Sequence, residues 1–188
     1  MINKLPLFFA VFVVAALDQI SKWWVLENIF LPKAYPHKPS RDFFTWMSEV
    51  KEAYLPPVSV EMVDTMLNFS MVWNRGISFG FLQQTGDGVM ILIGVTAAIT
   101  QGLMVWLIKA EDANTRTSLV LIIAGAIGNI IDRIRFEAVI DFVDIYFGEW
   151  HYPAFNLADS CIVIGVLLLV INSLVSGKAE KTITYKKK

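Results

Sequence analysis

Apolar residues gather in four runs, separated by polar or proline-rich stretches. The first extends from Leu5 to Leu17 and is carried on by Ile20, Trp23, Trp24, Val25 and Leu26. The second, Val89 to Ile108, has about the ~20 residues that a helix rising ~1.5 Å per residue needs to cross a hydrocarbon core of ~30 Å. The third, Leu119 to Ile131, is short and runs into Asp132 and Arg133; the fourth, Leu157 to Val175, precedes a tail rich in lysine. Together they predict four transmembrane helices, at about 5–26, 88–108, 117–135 and 157–176. Trp23 and Trp24 mark an interface at the end of the first. Lys4 ahead of an apolar run has the look of a signal peptide, but Ala15 and Ala16 lead into Leu17 and Asp18 and further spans follow, which predicts an uncleaved helix. Ala124 and Gly128, four apart, would let a neighbouring backbone approach closely in lipid.

The long connection between the first two spans has two textures. Its first half scatters Pro32, Pro36, Pro39, Pro56 and Pro57 among charges and predicts an irregular or partly helical insertion over about 32–66, to which no chemistry can be assigned. Its second half alternates: Leu67, Phe69, Met71 and Trp73 would lie on one side of a strand, with Ile77, Phe79 and Phe81 following Asn74-Arg75-Gly76. The pattern predicts a β-hairpin whose aromatic face lies on the bilayer. A second hairpin is predicted to turn at Gly148-Glu149, between Ile145-Tyr146-Phe147 and Trp150-His151-Tyr152, the two hairpins forming a small sheet over the helix ends.

Composition agrees with a membrane solvent. Of 188 residues, 55% are hydrophobic and 18% charged, against about 45 to 50% and about 25% in soluble domains; mean hydropathy is +0.54. A net charge of -1 offers no basic surface for a phosphate backbone, so nucleic acid is excluded as a partner. Cys161 stands alone in an apolar run, so it has no intrachain disulfide partner and no Cys-rich metal site; with only His37 and His151 besides, zinc is not expected. Lys4, Lys109, Arg116, Lys178, Lys181 and Lys186 to Lys188 fall on the side of the termini, whereas the segment from Phe136 to Phe155 carries no Lys or Arg. The positive-inside rule therefore puts both termini in the cytoplasm.

Ionisable and amide groups inside or at the ends of spans are costly in lipid and stand as functional candidates. They are Asp18, Lys22, Asn129, Asp132, Arg133, Asp141, Asn156 and Asp159, and all fall toward the outer leaflet. Asp18 and Lys22, four apart with the acid first, fit a bracing ion pair. Ser21 next to Lys22 points elsewhere on the helix, so a serine-lysine dyad is set aside. Asn129, Asp132 and Arg133 share one helix face, and Asp132 beside Arg133 reads as a neutralised pair. Asp141, among Val139, Ile140, Phe142 and Val143, has no cation near it in sequence, and desolvation would raise its pKa. Asn156 and Asp159 fit an N-cap and the third position of the fourth helix, where the helix dipole favours an ionised carboxylate. Capping alone explains both residues. Yet two carboxyl groups whose environments push their pKa values apart also suit a water-activating pair. The rival reading is a small ion- or proton-translocating subunit, in which charges would be spread through the membrane depth.

At these residues the chain resembles the lipoprotein signal peptidase family, signal peptidase II. The resemblance rests on Asp18-Gln19-Ile20-Ser21-Lys22, Asn74-Arg75-Gly76-Ile77-Ser78-Phe79-Gly80, Gly128-Asn129-Ile130-Ile131-Asp132-Arg133, Val139-Ile140-Asp141-Phe142 and Phe155-Asn156-Leu157-Ala158-Asp159-Ser160, in that order along most of the chain. It implies one integral membrane peptidase domain over 1–188. The fold would be a membrane all-α bundle of four transmembrane helices with a small extracytoplasmic, β-cradle-like sheet and an inserted outer loop. The implied activity is that of an aspartyl endopeptidase of the bacterial cytoplasmic (inner) membrane. It would cut diacylglyceryl-modified prolipoproteins before the lipidated cysteine, at the outer face, without metal or organic cofactor, among membrane lipids and with globomycin as inhibitor. The resemblance makes Asp141 and Asp159 the catalytic pair, with Asp132 and Asp159 as the alternative. Asp18, Lys22, Asn74, Arg75, Gly76, Asn129, Asp132, Arg133 and Asn156 would shape the site or contact substrate. The insertion over about 32–66 is longer than the family usually shows.

Overall fold

A computed structural model describes residues 4–48, 55–64, 66–76 and 87–186. Four helical stretches in it are long and apolar enough to cross a membrane: Leu5–Ala34, Gly88–Lys109, Ala113–Phe136 and Leu157–Val175. Helix α1, Leu5–Val25, passes through a single π-turn, Leu26–Phe30, into α2, Leu31–Ala34. The chain is thus helical through Pro32, where the sequence predicts the insertion to begin. A proline ring crowds the carbonyl of the preceding turn, and the wider π-turn just before it relieves that crowding.

Helix α4, Asp87–Lys109, turns sharply into α5, Ala113–Phe136, at the end away from the sheet. Asp112 caps α5 by accepting from Thr115 N at 2.7 Å and also accepts from Asn172 at 3.0 Å, which ties α6, Leu157–Lys186, to the same turn. α5 is the hub, packing against α1, α4 and α6. Val11, Ala15, Leu107, Leu119, Ile123 and Ala124 form the core of the bundle. Glycines set its closest approaches: a Cβ at Gly125 would strike the Ala158 carbonyl of α6, and one at Gly128 would strike the Asp18 carboxylate of α1. The close approach expected at Ala124 and Gly128 is present, with Ala124 buried in the bundle core and Gly128 against Asp18, and Gly125 and Gly165 add the α5–α6 contact.

Over the opposite end of the bundle lies an antiparallel sheet in the order β1-β2-β3-β4. Its strands are β1 Ser59–Val63, β2 Leu67–Asn74, β3 Val139–Phe147 and β4 Trp150–His151. The predicted hairpin at Gly148-Glu149 is present: Phe147 pairs with Trp150 and Tyr146 with His151, with Gly148 at φ +62 in the two-residue turn. Asp144 stitches three strands together, accepting from Ser70 at 2.9 Å and pairing with His151 at 2.8 Å. Of the hairpin predicted around Asn74-Arg75-Gly76, the first arm is the strand β2. β2 pairs with β1, from within the insertion, and with β3; Ile77, Phe79 and Phe81 lie outside the described residues.

The alternation in β2 is real, but its aromatic face points inward. Phe69, Met71 and Trp73 pack with Val25, Phe30, Trp46 of α3 (Phe43–Ser48), Phe136, Ile140 and Phe142 in a second core. Burial against these helix ends releases more apolar surface from solvent than lying flat on a headgroup layer would. The aromatics that do face outward belong to the β3–β4 hairpin: Phe147, Trp150 and Tyr152 are all more than half exposed.

Candidate active site

Two short turns deliver the carboxylates. α5 ends with Glu137 in the left-handed region, φ 56, its nitrogen bonded to Arg133 O at 3.0 Å. β3 then starts at Val139, and by pleat alternation Asp141 points back at the bundle. α6 begins with a reciprocal cap: Asp159 N donates to Asn156 Oδ1 at 2.9 Å, and Asn156 N donates to Asp159 Oδ2 at 3.2 Å. The capping expected of these two residues is therefore present, and it leaves the Asn156 amide free to point elsewhere.

That amide donates to Asp141 Oδ1 at 2.7 Å and lies 3.2 Å from both Ile140 O and Asn129 Oδ1. Asn129 in turn donates to Asp159 Oδ1 at 2.8 Å. Asp141 and Asp159, on different elements, are thus bound to one pair of asparagines. The other oxygen of Asp141 accepts from Asn74 Nδ2 at 2.9 Å. Asn74 is held for this by Gly76, whose nitrogen donates to Asn74 Oδ1 at 2.8 Å from a backbone at φ +78, a conformation that glycine adopts without strain. Arg75, between them, is exposed.

Asp141 is 1% exposed while Asp159 is half-buried. Burial pushes the Asp141 carboxyl up to about 7; the hydrogen bond from Asn74 opposes this, the charge of Asp159 reinforces it, and Lys22 and Asn156 pull it back in part. An acid of that kind can hold a proton near neutral pH.

Beneath the carboxylates lies a buried charge cluster. Lys22, fully buried, reaches Asp18 Oδ2 and Asp132 Oδ2, both at 2.7 Å, and Asn129 Oδ1 at 3.3 Å. The Asp18–Lys22 pair is as the spacing predicts. The pairing of Asp132 is corrected: its cation is Lys22, across the helix interface, and not the adjacent Arg133. Successive helical residues point about 100° apart, and Arg133 turns toward Gly76 and Asn129 O. Asp132 also accepts from Gln19 at 2.9 Å and from Ile140 N at 3.2 Å, so its oxygens are occupied. Asp18 meanwhile accepts from Ala158 N at 2.9 Å and so anchors the first turn of α6.

Two participants escape the sequence reading. Gln19, 3% exposed, is a neutral residue whose burial nothing in the pattern announces. Arg135 did carry a signal, being a third ionisable group at the end of the third span, three residues after Asp132.

The chain as a whole is similar to known proteins. A profile of the family described as signal peptidase (SPase) II matches residues 10–175. The lipoprotein signal peptidase of Methylorubrum extorquens (strain PA1) is 37% identical over 160 residues, covering 85% of this chain and 80% of its own. That of Shewanella oneidensis is 34% identical over 177 residues, covering 93% and 89%. A solved structure described as a bacterial membrane enzyme superposes with a TM-score of 0.66 at 26% identity, over 94% of this chain and 91% of that one.

Proposed function

The chain belongs to the signal peptidase II family, a group of membrane proteases of aspartic type, and from that premise we propose that Asp141 and Asp159 are its catalytic pair. The observation that carries this reading is the shared asparagine pair. Asn156 binds both carboxylates, Asp141 through its amide and Asp159 through its backbone nitrogen, and Asn129, bonded to the Asn156 amide, binds Asp159 as well. Asp132, the alternative partner for Asp159, has its oxygens taken by Lys22, Gln19 and Ile140 N, which leaves little room for a water.

The substrate is a diacylglyceryl-modified prolipoprotein, in keeping with the names of the relatives. Asp159 takes a proton from a water that attacks the carbonyl before the lipidated cysteine. Asp141, whose burial lets it keep a proton up to about pH 7, gives that proton to the carbonyl oxygen. The tetrahedral intermediate then collapses, the amine of the cysteine leaving with a proton returned from the pair. Asn74, Asn129 and Asn156 hold the acids in place, and Arg133 lies near both carboxylates as a cation for the developing negative charge. Asp18, Lys22, Asp132, Arg75 and Gly76 shape the floor and rim.

The distribution of Lys and Arg supports an orientation with both termini and the α4–α5 turn in the cytoplasm of a bacterium and the sheet and site at the outer face. The exposed aromatics Phe147, Trp150 and Tyr152 suit contact with lipid there.

The test is incubation of purified full-length protein with a diacylglyceryl-modified precursor, following release of the signal peptide, with globomycin as inhibitor control. Asp141→Asn and Asp159→Asn should each abolish release while the protein still accumulates in the membrane. Turnover retained by either variant overturns the assignment.

A further inference from the structure

The insertion between the first and second spans packs its short helix α3 onto the end of α5. Trp46 is fully buried, with its ring centre 6.0 Å from that of Phe136. The Arg135 guanidinium lies 4.0 Å from the centre of the Trp46 ring and donates to the Trp46 carbonyl and, at 3.5 Å, to Gln19 Oε1. Gln19 passes the contact on, donating to Asp132 Oδ1 at 2.9 Å. The other oxygen of Asp132 accepts from the nitrogen of Ile140, the residue before Asp141. An unbroken chain of contacts therefore runs from the insertion to the strand that carries a proposed catalytic acid.

The part of the insertion around Arg41 is itself held on α1 and its extension. Glu27, 1% exposed, binds both the side chain of Arg41 and its backbone nitrogen, the latter at 2.8 Å. Trp23 Nε1 donates to Arg41 O at 2.9 Å. These are charged and directional contacts at places where apolar packing would suffice for stability. A buried ion pair replaced as a whole by well-packed apolar residues is often no less stable, so direction is what the Glu27–Arg41 pair can add here. Guanidinium, planar and forked, fixes direction in a way that no aliphatic side chain does.

We infer that the insertion is a positioning element of the active site, acting through Trp46, Arg135 and Gln19 on Asp132 and hence on the β3 backbone at Asp141. None of the three side chains touches the reacting atoms; each acts through the next. The inference rests on the proposed catalytic role of Asp141.

The experiment uses the full-length enzyme and a diacylglyceryl-modified precursor, measuring kcat, KM and the thermal midpoint for Trp46→Ala, Trp46→Phe, Arg135→Met, Arg135→Lys and the Trp46→Ala/Arg135→Met double variant. Trp46→Ala and Arg135→Met should lower kcat roughly tenfold to a hundredfold, as a misplaced catalytic group does, with KM within about twofold. Trp46→Phe, which keeps a ring under the guanidinium, should recover most of kcat. Arg135→Lys, which keeps the charge and loses the fork, should not. The double variant should be no slower than the slower single one, because both cut the same chain. A parent-like kcat in Arg135→Lys overturns the inference, as does a loss confined to KM or a double variant whose losses multiply. Should Trp46→Ala not fold, the comparison of Arg135→Lys with the parent decides. Asp141→Asn, run alongside, reports separately on the catalytic pair: turnover retained there removes the premise, whereas an inactive Asp141→Asn beside a parent-like Arg135→Lys removes only the positioning role.

Discussion

Asn156 donates its side-chain amide to Asp141 Oδ1 at 2.7 Å. The same side chain, through its oxygen, caps α6 by accepting from Asp159 N at 2.9 Å. One residue thus does two separable things, and substitution can separate them. Serine keeps a cap acceptor but has no amide, so Asn156→Ser should stay within about 1 kcal/mol of the parent in stability while kcat falls on the order of a hundredfold. Thermal unfolding and turnover of a lipidated precursor measure the two effects; equal retention of both would remove the link between Asn156 and Asp141.

Asp141 sits where burial lifts its carboxyl from about 3.8 to about 7. The folded state then holds the proton more tightly than the unfolded chain across that window. Stability contributed by the neutral form is complete below pH 3.8 and lost as pH rises through 7. Removing the ionisable group removes this penalty, so Asp141→Asn should unfold at the same temperature as the parent near the acid end and at a higher one above pH 7, with a full difference of roughly 4 kcal/mol. A gap that does not change with pH would show that Asp141 does not titrate in this way. In the active enzyme, turnover should fall on the alkaline side as the donor proton is lost, with an apparent pKa that belongs to the coupled pair.

The four spans and the β3–β4 hairpin are legible because each is a local pattern: a long apolar run in one case, alternation about a glycine turn in the other. Asp141 is legible for the same reason, being a lone carboxylate among apolar neighbours. What could not be read are pairings across elements. Asp132 looks paired with Arg133 because they are adjacent, whereas helix geometry turns them apart and brings in Lys22 from α1. β2 offers an arm on each side to pair with, and only tertiary packing puts β1 there. Trp46 lies in a segment rich in proline and charge, and nothing local says that an arginine on a distant span will stack upon it.

Gly76 has φ +78, and a Cβ there would run into Leu92 of α4. Gly76→Ala would have to give up the turn in which its nitrogen holds Asn74 Oδ1, and with it the orientation of the amide that Asn74 offers to Asp141. A loss of about 1–3 kcal/mol in stability is expected from the strain. Asn74→Ala should match it in turnover without matching it in stability. Parent-like turnover in Gly76→Ala would mean that the turn does not set the acid.

Lys22 bridges two buried carboxylates, Asp18 and Asp132, at 2.7 Å each. Lys22→Met should destabilise by about 3–5 kcal/mol, chiefly by leaving buried charge uncompensated. If so, adding Asp132→Asn to Lys22→Met should restore part of the loss, although Asp132→Asn alone also destabilises. Unfolding midpoints of the two singles and the double form a complete cycle; a double variant less stable than Lys22→Met would contradict the charge argument.

Gly125 and Gly102 lie on neighbouring helices in the same lipid, yet they should respond oppositely to alanine. At Gly102 a Cβ would meet nothing within 4 Å, so the change only improves helix propensity, by about 0.5–1 kcal/mol. At Gly125 it would strike the carbonyl of Ala158 and come within 2.8 Å of Ile162. That carbonyl cannot retreat alone, because Ala158 N is bound to Asp18 and the next residue is locked in the cap with Asn156. The first turn of α6 must move as a unit and carry Asp159 with it. Gly125→Ala should therefore cost about 1–3 kcal/mol in stability and reduce kcat more than it raises KM, while Gly102→Ala leaves both constants unchanged. If the two variants lose turnover alike, close packing of α5 on α6 is not what holds Asp159 opposite Asp141.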